Sequence, residues 1–153
     1  MRNISDVIEN YLKEILEQSR DEAVEIKRSE IAEHFQCVPS QINYVISTRF
    51  TLEKGYIVES KRGGGGYIRI TKARAADREE LFNQVTAVIG RGIAQQSAEN
   101  IISRLLEEDA VSKREAGLMI SATDRHVINL PLPARDEVRA AVLKAMIDSL
   151  KYR

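Results

Sequence analysis

The chain has 153 residues, of which 43% are apolar and 30% charged, a balance that suits a folded, helix-rich protein rather than a disordered one. No apolar run reaches the roughly 18 residues that a membrane span needs, and the opening MRNISDVIENYLKEIL mixes charge and apolar character at helical spacing, unlike a cleaved signal. The single cysteine, Cys37, excludes an internal disulfide and fits a reducing, cytoplasmic setting; the formal charge of zero hides an uneven distribution along the chain.

Ser5 is expected to cap a first helix in which Val7, Ile8, Tyr11, Leu12, Ile15 and Leu16 recur at helical spacing. Arg20-Asp21-Glu22-Ala23 ends that stripe, and Val24-Glu25-Ile26 alternates as a short strand that could pair with a later hairpin. Ser29 is the expected N-cap of a second helix with Ile31, Ala32 and Phe35 inward. Gln36-Cys37-Val38 makes a turn, with Val38 as an inward anchor. Pro39-Ser40 opens a third helix whose buried stripe is Ile42, Val45 and Ile46. Gln41, Asn43, Tyr44, Ser47 and Thr48 fall mainly on its other side.

Gly55 precedes a strand, Tyr56-Ile57-Val58-Glu59-Ser60, which leads into Lys61-Arg62-Gly63-Gly64-Gly65-Gly66 and a return strand, Tyr67-Ile68-Arg69-Ile70. After Ala73-Arg74-Ala75-Ala76 the pattern becomes helical only, which sets an expected boundary between domains 1–74 and 75–153. Asp77 is expected to cap a helix with Leu81, Phe82, Val85, Val88 and Ile89, and Ser97 to start one with Ile101, Ile102, Leu105 and Leu106. Ser112 and Glu115 have capping-box spacing before Ala116, Leu118, Met119 and Ile120. Leu130-Pro131-Leu132-Pro133 reads as an extended connector. The last helix, from Ala134, places Val138, Ala141, Val142, Ala145, Met146 and Leu150 on one face. A helical half of about 80 residues has a marginal core alone, and pairing with a second copy is a common remedy. The expected architecture is mainly α with a small β-hairpin wing: a winged helix-turn-helix domain followed by an all-helical dimerisation domain.

Charge follows the same division. Residues 1–26 hold three basic and seven acidic side chains, residues 27–74 nine and four, and residues 75–153 eleven and twelve. The basic excess therefore sits on the helix-turn-helix and hairpin, where phosphate attraction would need it. From Gln36 to Leu52, seventeen residues, there is no Asp or Glu. Ser40, Gln41, Asn43, Tyr44 and Arg49 supply groups that hydrogen-bond base edges in a major groove. A polar outer face is also what any exposed helix shows, so the missing acids and the hairpin that follows carry the argument.

At the hairpin tip Gly63, Gly64, Gly65 and Gly66 remove every Cβ and let backbone approach a narrow groove, flanked by Lys61, Arg62 and Tyr67. A strand rather than a helix follows, which argues against a dinucleotide loop, and the Lys-Ser/Thr ending of a phosphate loop is missing. An RNA-recognition strand would need more stacking aromatics than Tyr67. Arg28 and Arg49 stand at ends of the two motif helices, where phosphate contacts are usual. His34 and His126 are isolated and share no metal-ligand spacing with Cys37, which reads as a small apolar group in the turn. No cofactor and no catalytic set is expected.

These segments closely resemble the CtsR family of repressors of class III heat-shock genes in low-GC Gram-positive bacteria. The resemblance rests on ISDVIENYLKEIL, EIAEHFQCVPSQINYVISTRFT, GYIVESKRGGGGYIRI and the helical half ending near NLPLPARDEVRA, and it spans essentially the full length. It implies a homodimer that binds tandem repeats in a double-stranded DNA operator upstream of clp protease and chaperone genes. The third helix would read the major groove and the wing the minor groove. It also implies regulation by the protein arginine kinase McsB, by the Clp ATPase/protease and by heat, with Arg62 the matching phosphorylation position and Gly64 and Gly65 in the heat-sensing loop. A winged-helix adaptor that contacts a protein instead of DNA is the alternative.

Overall fold

The computed structural model describes residues 3–61 and 66–152, which divide into two compact units, Met1–Ala73 and Arg74–Arg153. The first unit contains α1 (Ile4–Gln18), β1 (Ala23–Ile26), α2 (Arg28–His34), α3 (Pro39–Arg49), a 3-10 turn (Leu52–Lys54), β2 (Tyr56–Lys61) and β3 (Tyr67–Lys72). The second contains α4 (Arg78–Val88), α5 (Gln95–Glu107), α6 (Lys113–Thr123) and α7 (Ala134–Lys151).

The cap of α1 is Asn3, whose side chain accepts the Asp6 N–H at 2.9 Å, and not Ser5. Ser5 lies inside the first turn and is buried, because its hydroxyl meets the Gln41 amide at 2.6 Å. Ile8, Leu12 and Leu16 face the core, Tyr11 and Ile15 pack at its edge, and Val7 is exposed. The β1 segment pairs antiparallel with β3, which pairs antiparallel with β2, so the sheet order is β1-β3-β2. Register runs from Ala23 opposite Thr71 to Ile26 opposite Ile68, and from Tyr56 opposite Lys72 to Lys61 opposite Tyr67. Alternation sends Val24, Ile26, Ile68 and Ile70 into the core, while Glu25 and Arg69 meet on the other face at 3.0 Å.

Helix α2 starts at Arg28 with Lys27 as its cap and no capping side chain, one position before the expected Ser29. The turn to α3 uses a left-handed Gln36 (φ 52°) and closes with the Cys37 N–H donating to Ala32 O at 2.9 Å. Val38 is 62% exposed rather than an inward anchor. It occupies the extended cap position before Pro39, and Phe35 and Cys37 pack against the core in its place. Gly55 (φ 97°) is left-handed where the 3-10 turn enters β2, a conformation that favours glycine.

In the second unit Asp77 caps α4 by accepting the Glu80 N–H at 2.8 Å, and Ser112 and Glu115 form a reciprocal capping box on α6. Helix α5 begins at Gln95, two residues before the expected Ser97, behind an extended Ala94. The Leu130–Pro133 connector is not wholly extended: Leu132-Pro133 is a cis peptide, and Pro133 adopts helical dihedrals as the cap of α7. Phe82, Val85, Ile101, Ile102, Leu105, Met119, Leu143 and Ile147 build the core.

The largest departure from expectation is the rotation of α7. Its buried face is Arg139, Ala140, Leu143 and Ile147; of the expected face, Met146 and Leu150 pack against the core, Val142 is half-buried, and Val138, Ala141 and Ala145 are exposed. Both stripes satisfy helical spacing. The inward one is fixed by Arg139, 1% exposed, which donates to Thr123 O at 2.7 Å, Ile93 O at 3.0 Å and Asp136 Oδ1 at 2.7 Å. A second buried guanidinium, Arg104, bonds Glu108 and Gln84. Removing a buried cation leaves its acceptors unsatisfied, so Arg139→Ala should cost about 3 kcal/mol. An unchanged midpoint in chemical unfolding of the full chain would contradict this account.

Candidate nucleic-acid interface

The outer face of α3 follows from its inner one. With Ile42, Val45 and Ile46 buried, a 3.6-residue repeat turns Ser40, Asn43, Tyr44, Ser47 and Thr48 to solvent, and all five are exposed. Tyr44 is 54% exposed, a large aromatic group held outward by its neighbours' burial. The hydroxyls of Ser47 and Thr48 donate to Tyr44 O at 3.2 and 2.6 Å, which leaves their oxygens facing outward as acceptors. A groove bounded by Arg28, Ser40, Asn43, Tyr44 and Ser47 on the helices and by Val58 and Ser60 on β2 joins this face to the wing.

Three of the sequence candidates on α3 are engaged inside the unit: Gln41, Arg49 and, through Arg28, Asn43. Gln41 is half-buried, with its amide nitrogen on Ser5 Oγ. Arg49 does not stand free for phosphate. Its Nη1 lies 2.9 Å from Asp6 Oδ1 and 2.6 Å from Glu9 Oε1, so two carboxylates of α1 already neutralise it. The reason is tertiary: α1 supplies the acids that a reading of α3 alone does not see. Hydrogen bonds donated to Asp6 and then to Glu9 hold the Arg49 guanidinium above its ordinary pKa. Burial by itself would raise the Glu9 carboxyl, but hydrogen bonds from Lys13 and Arg49 outweigh it and hold the group below its ordinary value of 4.5.

Arg28 is placed differently. Its Nε donates to Asn43 Oδ1 and its Nη2 lies 3.4 Å from Ser60 Oγ, so the side chain links α2, α3 and β2. Among the described residues no carboxylate ion-pairs with it. On the wing, Lys61 is exposed and stands opposite a half-buried Tyr67 in the last pair of the β2–β3 ladder, and Gly66 is left-handed (φ 72°). Arg62, Gly63, Gly64 and Gly65 lie outside the described residues. No group of three or more His, Cys, Asp or Glu side chains that could hold a metal occurs among the described residues, and no described helix is long and apolar enough to cross a membrane.

Two family models cover nearly all of the chain: CtsR N-terminal HTH domain over residues 3–74 and CtsR C-terminal dimerization domain over residues 77–148. The chain belongs to the CtsR family. It is 60% identical to the transcriptional regulator CtsR of Geobacillus stearothermophilus over 153 residues, all of both chains. The Bacillus subtilis (strain 168) protein of the same name is 57% identical over 151 residues, 99% of this chain and 98% of that one. That of Staphylococcus aureus (strain USA300) is 47% identical over 152 residues, 99% of each. Among solved structures, a chain described as "Crystal structure of CtsR in complex with a 26bp DNA duplex" matches with a TM-score of 0.94 at 60% identity. The match covers 99% of this family member and 100% of that chain.

Sequence reasoning placed Arg28 at a helix end but missed its bond to Asn43, which joins residues 15 apart. It also missed the Asp6 and Glu9 pairing of Arg49; the acidic excess of residues 1–26 beside a basic segment was the available signal.

Arg49→Ala should lower the stability of the first unit by about 1–2 kcal/mol, because it strands two carboxylates at a part-buried site. Glu9 has a folded pKa below its unfolded one, so its pairing stabilises fully above the unfolded value and that contribution is lost as pH falls through the folded value. The difference in Tm between wild type and Glu9→Gln should be full-sized at neutral pH and close below pH 4.5. A difference that widened in acid would count against the pairing.

Proposed function

We propose that the chain is a sequence-specific DNA-binding transcriptional repressor that works as a homodimer in the cytoplasm on tandem-repeat operators of clp protease and chaperone genes. In this reading α3 enters the major groove, with Ser40, Asn43 and Tyr44 toward base edges, and the wing from Lys61 to Tyr67 follows the minor groove. The observation that carries it is the exposed face of α3, free of carboxylates and set beside the hairpin, in a fold shared with a relative solved on a DNA duplex. Anionic DNA would be repelled by acids on that face. Their absence from Gln36 to Leu52, in a chain as rich in acids as in bases, is what a duplex-facing surface requires.

Arg62 and the neighbouring glycines are the proposed regulatory elements. Phosphorylation of the Arg62 guanidinium by an arginine kinase such as McsB would put negative charge where the duplex presents phosphate and would remove hydrogen-bond donors. Handing the released chain to a Clp ATPase/protease fits that order of events. Glycine raises the conformational entropy of the unbound tip, so ordering it on DNA costs more as temperature rises.

The exposed apolar side chains of the second unit, among them Leu118 and Val138, support pairing with another copy through that unit. Leu118→Asp with Val138→Asp should lower the mass seen by sedimentation from dimer to monomer. A variant that stayed dimeric would move the interface elsewhere.

Fluorescence anisotropy with a tandem-repeat clp promoter duplex and a scrambled duplex tests the main reading. Wild type should bind the repeat tightly and in preference to the scrambled duplex and lose affinity steeply with added salt, and Arg62→Ala should bind far more weakly. Equal, weak binding to both duplexes would overturn the reading and hand the same surface to a protein partner.

A further inference from the structure

The two arginines of the first unit's motif have opposite electrostatic settings. Arg49 is neutralised by Asp6 and Glu9, whereas the two bonds that Arg28 makes go to neutral groups, the amide oxygen of Asn43 and the hydroxyl of Ser60. Those groups belong to the two elements that flank the groove, one on α3 and one on β2.

A guanidinium carries only donors, so the end of the Asn43 side chain that faces it is necessarily the oxygen. The Asn43 amide NH2 has no hydrogen bond among the described residues, and Asn43 is exposed, so that end is the one available to a ligand. Without Arg28 the amide could rotate and present either its oxygen or its nitrogen to a base edge. An unconstrained asparagine accepts from some bases and donates to others, so its selectivity is low. A constrained one selects acceptors such as a purine N7, guanine O6 or thymine O4. The planar fork of arginine also sends Nε and Nη2 in fixed directions, which a lysine ammonium cannot reproduce across two partners.

We propose that Arg28 is a positioning residue for base readout: by holding Asn43 Oδ1 and Ser60 Oγ together it commits Asn43 to act as a hydrogen-bond donor in the major groove and fixes the recognition helix to the wing strand. The inference rests on the DNA-binding reading above and assigns Arg28 a role distinct from phosphate contact. Phosphate contacts add affinity without regard to sequence, whereas a positioning contact changes which base is preferred at one place.

The test uses the full-length chain. Its preferred duplex is selected from a randomised pool with the wild-type protein, and every single-base variant of that duplex is then titrated by anisotropy at several salt concentrations. Asn43→Ala marks the position Asn43 reads, as the one where preference flattens. Arg28→Ala should flatten preference at that same position by roughly tenfold, leave other positions and the salt slope unchanged, and add nothing further in the double variant with Asn43→Ala. Arg28→Lys should flatten it too, since it keeps the charge but not the fork. The proposal is overturned if Arg28→Ala weakens all duplexes alike and lowers the salt slope by about one, with Arg28→Lys restoring both, because that is the behaviour of a phosphate contact. It is equally overturned if Arg28→Ala changes nothing. A wild-type chain that selects no duplex would instead remove the DNA-binding reading itself, an outcome visible before any variant is compared.

Discussion

Burial of one side of α3 is the constraint on which the first unit's surface depends. Ile42, Val45 and Ile46 enter a core shared with Ile8, Leu12, Ile68 and Ile70, so the helix cannot rotate about its axis without exposing them. Each such side chain is worth about 1.5–3 kcal/mol when removed from water, far more than any polar contact on the opposite face supplies. The positions of Ser40, Asn43, Tyr44, Ser47 and Thr48 are consequences of that burial. A surface that must present the same groups to a partner each time is best built on an element held this firmly.

The charges around this helix divide the labour. Asp6 and Glu9 draw Arg49 onto α1, which pins the far end of α3 while contributing nothing to the field outside. Gln41 does the same near the other end through Ser5. Arg28 keeps its net charge and lies over the groove between α3 and β2. The basic excess of residues 27–74 is therefore a poor guide to which cations are free. It counts Arg49 and Arg28 alike, although one is neutralised and the other is not.

The second unit shows how weakly a helical pattern can specify a face. Helix α7 has two apolar stripes a fraction of a turn apart, and the inward rotation is the one that buries Leu143 and Ile147 and brings the Arg139 guanidinium to the backbone carbonyls of Thr123 and Ile93. Asp136, one turn away on the same helix, is its neighbour in any rotation. A buried cation is expensive unless fully bonded, so its partners decide the packing. The N-terminal part of the other stripe, Val138, Ala141 and Ala145, is left outward in a unit that matches a dimerization domain.

Local signals in the sequence were enough for the elements and their order. Helical and two-residue periodicity, Pro39 at a helix start and the Ser112–Glu115 box each act within a few residues, so neighbours along the chain determine them. Alternation of Val24 and Ile26 likewise marked a strand able to pair with the hairpin, while the choice of β3 as its partner is a tertiary outcome. The outer face of α3 followed from its inner stripe. What tertiary structure alone decided were the partners brought from far along the chain: Asp6 and Glu9 for Arg49, Asn43 and Ser60 for Arg28, Thr123 and Ile93 for Arg139. A polar side chain's role depends on which donor or acceptor lies within about 3 Å of it, and that is set by packing and not by its place in the sequence.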